Sequence, residues 1–256
     1  HADFPAYRGR MEYVCLDCGA RYPGDDLLYT CPQCGGVFLL ENLDFAKLKE
    51  RSGQEWRQIF DDRCATRVTA LKGIFRYYEL LAPLLDQDDI VYLGEGITPI
   101  VEAAPALRDQ VGVSFAYKND GQNPSASFKD RGMACAFSYL KWLCRRNKWD
   151  EVLTVCASTG DTSAAAALYA SYVGAPLKSV VLLPHGKVTP QQLAQPLGSG
   201  ATVLELPGVF DDCMKVVELL AENYRVALLN SKNGWRILGQ ESYAYEVAQW
   251  YGWDMT

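Results

Sequence analysis

From about residue 115 onward the chain alternates short, solidly apolar runs with stretches whose apolar residues recur every three or four positions. The runs 115–118, 152–156, 179–184, 201–206 and 225–230 read as strands, and helices are expected to begin near Phe128, Thr162, Pro190, Phe210 and Gln240. Strands that are apolar at consecutive positions are buried on both faces, which predicts an α/β fold with a mostly parallel sheet wrapped by helices. Ligands of such sheets sit at the carboxyl ends of the strands, so the loops that follow strands carry the most functional weight. Upstream, residues 44–85 have helical periodicity, with Trp56, Ile59, Phe60 and Cys64 at i, i+3, i+4 and i+8, and predict one or two lead-in helices. No internal repeat is present beyond the alternation itself.

The 256 residues accommodate one large and one small unit. The division expected is a cysteine-rich module at 11–42, a helical lead-in at 43–90 and an α/β region at 91–256. A hydrophobic share of 49% with 22% charged residues is ordinary globular composition. A formal charge of -6 without any basic run excludes an evident nucleic-acid or anionic-membrane surface and favours a small-molecule partner. No apolar run approaches the ~20 residues that span a bilayer, and the N-terminal residues lack the basic and apolar regions of a signal peptide. A cytoplasmic protein is therefore expected.

Four of the nine cysteines form a C-x2-C-x12-C-x2-C array: Cys15, Cys18, Cys31 and Cys34. Each pair can place two thiolates on one side of a tight turn, and Gly19 and Gly35 free the backbone so that amide N–H groups point at the sulfurs. Four such sulfurs make a closed tetrahedron, which predicts a structural Zn2+ with no open coordination position and no catalysis. Residues 22–30 between the pairs read as a short hairpin. Ribbons of this kind often bind nucleic acid, but residues 11–50 carry three basic against seven acidic side chains, which argues otherwise. Cys64, Cys135, Cys144, Cys156 and Cys213 fall in apolar or helical patterns and read as small buried thiols.

Three segments carry candidate chemistry. Ser125–Gly132 opens a helix, and Ser127 with Asp130 has capping-box spacing, which puts Lys129 in the first turn. A lysine there opposes the positive end of the helix dipole, a field that with partial burial favours the neutral amine needed for a covalent carbonyl adduct and for proton transfer. The alternative is an exposed lysine whose ammonium bends back into water. Ser158, Thr159, Asp161 and Thr162 lie between a strand and an alanine-rich helix, where free N–H groups and hydroxyls make a cradle for a carboxylate; a plain capped turn uses similar residues. Asn230, Ser231 and Arg236 follow the last strand, and together their amide, hydroxyl and guanidinium suit a phosphate. The alternative for Arg236 is a helix-bridging role.

Taken together, these segments resemble the threonine synthase family. Residues 123–133 are similar to that family's lysine segment, in which the lysine carries pyridoxal phosphate, and Leu93–Pro99 looks like its LGEGNTPL strand with Ile97 in place of the usual Asn. Gly73–Tyr77 is similar to the family's GxWRY segment, and a four-cysteine ribbon precedes it in many members. The resemblance implies a fold type II pyridoxal 5'-phosphate enzyme, with Lys129 as the catalytic, cofactor-carrying lysine and Asp161 facing the pyridine ring. It further implies that Ser158, Thr159 and Thr162 receive the substrate carboxylate, and that Asn230, Ser231 and Arg236 hold the substrate phosphate.

Asp161 stands where many relatives have Asn, so it can only accept a hydrogen bond when ionised, whereas an amide can donate. The family's glycine loop for the cofactor phosphate and its contact to the pyridine nitrogen have no counterpart before Thr256, so the chain reads as the front half of a longer enzyme. The activity implied is conversion of O-phospho-L-homoserine and water to L-threonine and phosphate, and a homodimer is compatible with it. Rivals are a cysteate synthase or a serine/threonine dehydratase of the same fold, or a catalytically silent, ribbon-bearing binding protein.

Overall fold

The computed structural model describes residues 3–158 and 160–254. It begins with a three-stranded antiparallel sheet in which β1 (Met11–Cys15) lies between β2 (Arg21–Pro23) and β3 (Phe38–Asn42). Met11, Tyr13 and Cys15 are buried while Glu12 and Val14 are half-buried, the alternation of a strand with one covered face. The hairpin is formed by β1 and β2 across the first cysteine pair rather than by residues 22–30. Pro23 withholds a ladder donor and Gly24-Asp25-Asp26 has turn chemistry, so the chain runs in turns up to Cys31.

The lead-in contains one α-helix, α1 (Gly53–Asp62), opened by a Ser52/Glu55 capping box. The periodicity expected to continue toward residue 85 breaks into short 3-10 turns, at Arg63–Ala65, Thr69–Leu71 and Gly73–Tyr77. Buried arginines account for the break, because they take the carbonyls that a longer helix would use. Arg76 Nε donates to Phe60 O at 2.7 Å, and Arg63 donates to Arg76 O and to both oxygens of Glu79. Cys64 falls beyond α1 and is exposed, unlike the buried thiol expected of it, whereas Cys135, Cys144, Cys156 and Cys213 are buried. Residues 93–99, expected as a strand, form a loop, since Gly94, Gly96 and Ile97 all adopt positive φ.

The main sheet is parallel, with β6 (Val152–Ala157), β7 (Leu177–Pro184), β8 (Thr202–Leu206) and β9 (Val226–Leu228) in the order β8-β7-β6-β9. β6 is buried on both faces, as its unbroken apolar run requires. One face is covered by α3 (Lys129–Asn147), α4 (Asp161–Val173) and α7 (Gly234–Trp250), the other by α6 (Phe210–Asn223). α5 (Pro190–Gly198) packs beside α4 and β8. The apolar run at 115–118 contributes β5 (Ala116–Lys118) to a separate antiparallel pair with β4 (Ile100–Glu102), joined through α2 (Pro105–Val111).

α7 begins at Gly234, six residues before the start expected near Gln240. Asn233 accepts from the Arg236 N–H at 3.0 Å and donates to Leu228 O, so the polar stretch after β9 is already a helix cap. α3 and α7 cross where both lack side chains. A Cβ on Gly132 would stand 2.9 Å from Arg236 O, and one on Gly239 would collide with the carbonyl of Arg131. This close approach brings the first turns of the two helices together, and with them Lys129 and Arg236. The ribbon docks on the same pair. Trp235 stacks on Tyr139 at 4.0 Å between ring centroids, Trp235 Nε1 donates to Tyr13 Oη at 2.7 Å, and Tyr139 Oη donates to Asp26 O at 2.7 Å.

Candidate active site

Lys129 is the first residue of α3 and is half-buried, with Nζ 4.1 Å from the centre of the Phe128 ring. Its N–H donates to Ser127 Oγ, but the expected Ser127–Asp130 box does not form. Ala126 turns through a positive φ and swings Ser125 over the helix start, so the Asp130 carboxylate accepts instead from Ser125 N at 2.7 Å and Ser125 Oγ at 2.8 Å. Burial holds the Lys129 amine below its ordinary pKa, helped by the positive charge of Arg236 and opposed by Asp161.

Two residues on, Arg131 anchors the helix in a buried ionic network. It donates to both oxygens of Glu246 and both of Asp120, and Lys118 Nζ lies 2.6 Å from Glu246. Glu95, fully buried nearby, accepts from Leu93 N and Tyr169 Oη through one oxygen, while its other oxygen has no partner. Burial pushes this carboxyl up to about 7.

Strand order places two of the sequence-derived loops side by side. The chain moves outward from β6 through β7 and β8, then returns to pair β9 on the other edge of β6, so the crevice beyond the ends of β6 and β9 is the topological switch point. After β6, α4 starts at Asp161 with Gly160 at the N-cap and no side-chain cap. Ser158 Oγ accepts from Gly160 N at 3.3 Å, Asp161 is exposed and Thr162 is half-buried. Thr159 lies outside the described residues.

After β9, Asn230 is turned inward, and its amide bonds both ways to the Ala157 backbone, at 2.7 and 3.0 Å. In this arrangement Asn230 ties the ends of β6 and β9 together, while Ser231 is exposed. Arg236 is 1% exposed and sits in the first turn of α7 rather than in a loop. Its NH1 donates to Leu229 O at 2.7 Å and its Nε has no partner. Burial lowers its pKa, and no carboxylate among the described residues offsets the charge. Lys129, Asp161 and Arg236 are thus brought together. Tyr29 of the ribbon, a residue without any motif of its own, lines a cavity with Asn230 and Ser231.

Cys15, Cys18, Cys31 and Cys34 form a second cluster with all four sulfurs within 4.8 Å of one another. Cys15 and Cys34 sulfurs are 3.5 Å apart, and those of Cys18 and Cys31 3.7 Å. Gly19 and Gly35 adopt φ of 73° and 74°, and backbone N–H groups of Gln33 and Cys34 reach Cys31. The arrangement has the donor set and compactness of a tetrathiolate metal site.

Comparison with known proteins agrees with this geometry. Residues 91–254 match the family model described as pyridoxal-phosphate dependent enzyme. The chain belongs to that family. Similar sequences of the family include the threonine synthase of Methanocaldococcus jannaschii, 38% identical over 94% of this chain and 54% of that protein, and that of Methanosarcina acetivorans, 34% identical over 91% and 52%. The fold resembles the crystal structure of PLP-bound threonine synthase from Brucella melitensis, with a TM-score of 0.61 at 19% identity over 96% of this chain and 53% of that one. The architecture is that of fold type II pyridoxal-phosphate enzymes. The chain spans about half the length of the curated relatives it matches.

The residues present fit the family's cofactor. Lys129 offers an amine kept below its usual basicity, the uncapped start of α4 offers free N–H donors, and Arg236 is a buried cation that lacks an anion. Among the described residues no helix is long and apolar enough to cross a membrane.

Proposed function

We propose that this chain carries the lysine-bearing part of a threonine synthase, which converts O-phospho-L-homoserine and water to L-threonine and phosphate. The observation that carries the reading is Arg236, a buried guanidinium with a partnerless Nε and no carboxylate to balance it, held beside Lys129 at the switch point. Leaving such a charge unmatched costs several kcal/mol, which a bound dianion would offset. The identities to threonine synthases support the same substrate.

In this reading pyridoxal phosphate, when bound through Lys129, supplies the electron sink for proton removal from the substrate. The chain's own residues do the rest. Ser158 and Thr162, at the open start of α4, receive the substrate carboxylate together with Thr159, and Asp161 faces the ring. Arg236 with Ser231 holds the phosphate, while Asn230 keeps the ends of β6 and β9 in register beneath it. Lys129 takes protons from Cα and Cβ as phosphate leaves Cγ, a proton is taken up at Cγ to make the methyl group, and after water adds its hydroxyl at Cβ, its other proton passing to the released phosphate, Lys129 returns a proton to Cα. Residues 11–42 are a ribbon around a structural Zn2+, 43–90 a lead-in that packs it, and 91–256 part of the catalytic region.

The test is phosphate release by the whole enzyme from phosphohomoserine, and separately from phosphoserine with sulfite, in wild type, Arg236→Ala and Arg236→Lys. A charge-assisted hydrogen bond is worth about 1.5–3 kcal/mol, so each variant should lose about 10- to 150-fold in kcat/KM on phosphohomoserine. Lys keeps the charge but not the planar fork. Unchanged kinetics with a lowered melting temperature would make Arg236 a helix strut and remove the main reason to prefer a phosphorylated substrate. Turnover of phosphoserine alone would replace the substrate.

A further inference from the structure

Contacts from the ribbon converge on the two residues that precede Arg236. On β1, Tyr13 and Cys15 share the buried face, and Cys15 pairs with Phe38 of β3. A Cβ on Gly234 would stand 3.3 Å from Phe38 O, so the missing side chain lets the ribbon backbone close on the start of α7. Trp235, 1% exposed, meets Tyr13 edge-on at 6.3 Å between ring centroids and donates to its hydroxyl at 2.7 Å. Tyr13 Oη in turn donates to Asp26 O at 3.1 Å, the carbonyl that also accepts from Tyr139. Arg236 itself is lightly tied. Among the described residues its guanidinium has one hydrogen bond, to Leu229 O, so its place follows that of the first turn of α7. First-turn N–H groups lack intrahelical partners, and the Asn233 cap and the ribbon are what steady this turn.

We propose that Trp235 is a positioning residue through which the ribbon sets how Arg236 meets the substrate's phosphate. The proposal rests on the reading of Arg236 given above. A charge-assisted bond to an anion is directional, so a small displacement of the turn that carries the guanidinium weakens it. The route is short: Cys15 fixes β1, Tyr13 stands two residues before it on the same face, and Trp235 joins that phenol to the residue next to Arg236. Gly36 closes over the same cysteine, where a Cβ would stand 2.8 Å from Cys15 Sγ, so the strand that bears Tyr13 is held tightly at the cysteine cluster. The order of the four-cysteine cluster thereby becomes a determinant of substrate affinity without any of its atoms touching substrate.

The test compares wild type, Trp235→Phe, Tyr13→Phe and the double variant in the whole enzyme, with Arg236→Ala as reference. Trp235→Phe keeps a ring against Tyr139 and removes the donor, and Tyr13→Phe removes the acceptor. The dissociation constant of inorganic phosphate, measured by calorimetry, and KM for phosphohomoserine should each rise about 2- to 10-fold in both single variants, with kcat close to wild type. The double variant should be no worse than the poorer single one, because both remove the same bond. Stripping the metal expected of the four cysteines with chelator should weaken phosphate binding by about 5-fold or more in wild type, and by less in Trp235→Phe. Unchanged phosphate affinity and KM in both single variants, with only a lower melting temperature, would overturn the proposal and leave Trp235 a packing residue; so would additive losses in the double variant, or equal losses on stripping wild type and Trp235→Phe. If Arg236→Ala weakens phosphate binding and Trp235→Phe does not, the present proposal falls and the reading of Arg236 stands. If Arg236→Ala binds phosphate as wild type does, both fall. Phosphate binding that depends on Arg236, without turnover of phosphohomoserine, removes the function proposed above while calorimetry still decides Trp235.

Discussion

Replacing Glu246 offers the most direct measure of how firmly the lysine-bearing helix is held. Its carboxylate, 4% exposed, accepts from Arg131 NH1 at 2.7 Å, Arg131 NH2 at 2.9 Å and Ile97 N at 2.8 Å, and meets Lys118 Nζ at 2.6 Å. Glu246 and Asp120 balance Arg131 and Lys118, so Glu246→Ala leaves two buried cations against one anion. Removing one partner of a buried pair costs about 3–5 kcal/mol. With three charged bonds lost and the Ile97 N–H orphaned, the expected loss is about 4–5 kcal/mol, which lowers the melting temperature by about 8–20 °C for a chain of this size. Glu246→Gln keeps the shape and one acceptor and should lose about half as much. Burial alone would raise the Glu246 pKa, but hydrogen bonds and charge from Arg131 and then Lys118 outweigh it and hold the group below its ordinary value. A depressed folded pKa gives stability that is present above the unfolded value and lost as pH falls, so the gap between wild type and variants should narrow below about pH 4. Urea unfolding from pH 3 to pH 8 checks both statements. Variants within about 1 kcal/mol of wild type at neutral pH would show that the network is not under load.

Lys129→Ala should abolish the visible absorbance of bound cofactor and nearly all turnover, and borohydride reduction followed by peptide mapping should label Lys129; labelling of Lys118 would move the assignment. Elemental analysis of protein purified without chelator should find one zinc per chain, and a metal-free protein with an ordered ribbon would refute the tetrathiolate reading. Glu95 has a folded pKa raised by burial to about 7, so its contribution to stability is present below about pH 4.5 and is lost as pH rises through about 7. Glu95→Gln should remove that decline, worth up to about 3 kcal/mol, and a parallel pH–stability curve for wild type and variant would refute it.

The readable parts of this molecule were those whose physics is local. β6 and β7 announce themselves because strands covered on both faces must be apolar at nearly every position, and their observed bounds lie within two residues of the expected ones. The cysteine array was equally plain, since spacing alone carries its donor set, whereas the role expected of Lys129 came from resemblance to a family's segment and not from spacing. The start of α7 was missed because Lys232-Asn233-Gly234 has turn composition, and only the bond from Arg236 N to Asn233 shows that the turn is a cap. The displaced clasp on α3 depends on the positive φ of Ala126, a conformation that alanine does not advertise. Asn230 looked like a phosphate donor because an amide's partner is set by what stands opposite, here the Ala157 backbone across a strand pair more than seventy residues away. Glu95 gains its raised pKa from tertiary neighbours, and no spacing could have pointed to it.

The way the ribbon sits has a bearing on how such a chain could be rearranged. Trp235 Nε1 and the hydroxyl of Tyr139 each find an acceptor in the first thirty residues, at Tyr13 and at Asp26, and the stacked rings lie under that contact. A descendant that discarded residues 11–42 would strand two polar atoms in a freshly wetted apolar face on the helices that bear Lys129 and Arg236. The ribbon is therefore not a detachable cassette: its loss or exchange would have to be accompanied by replacement of Tyr139 and Trp235, and the three changes should be inherited as a set.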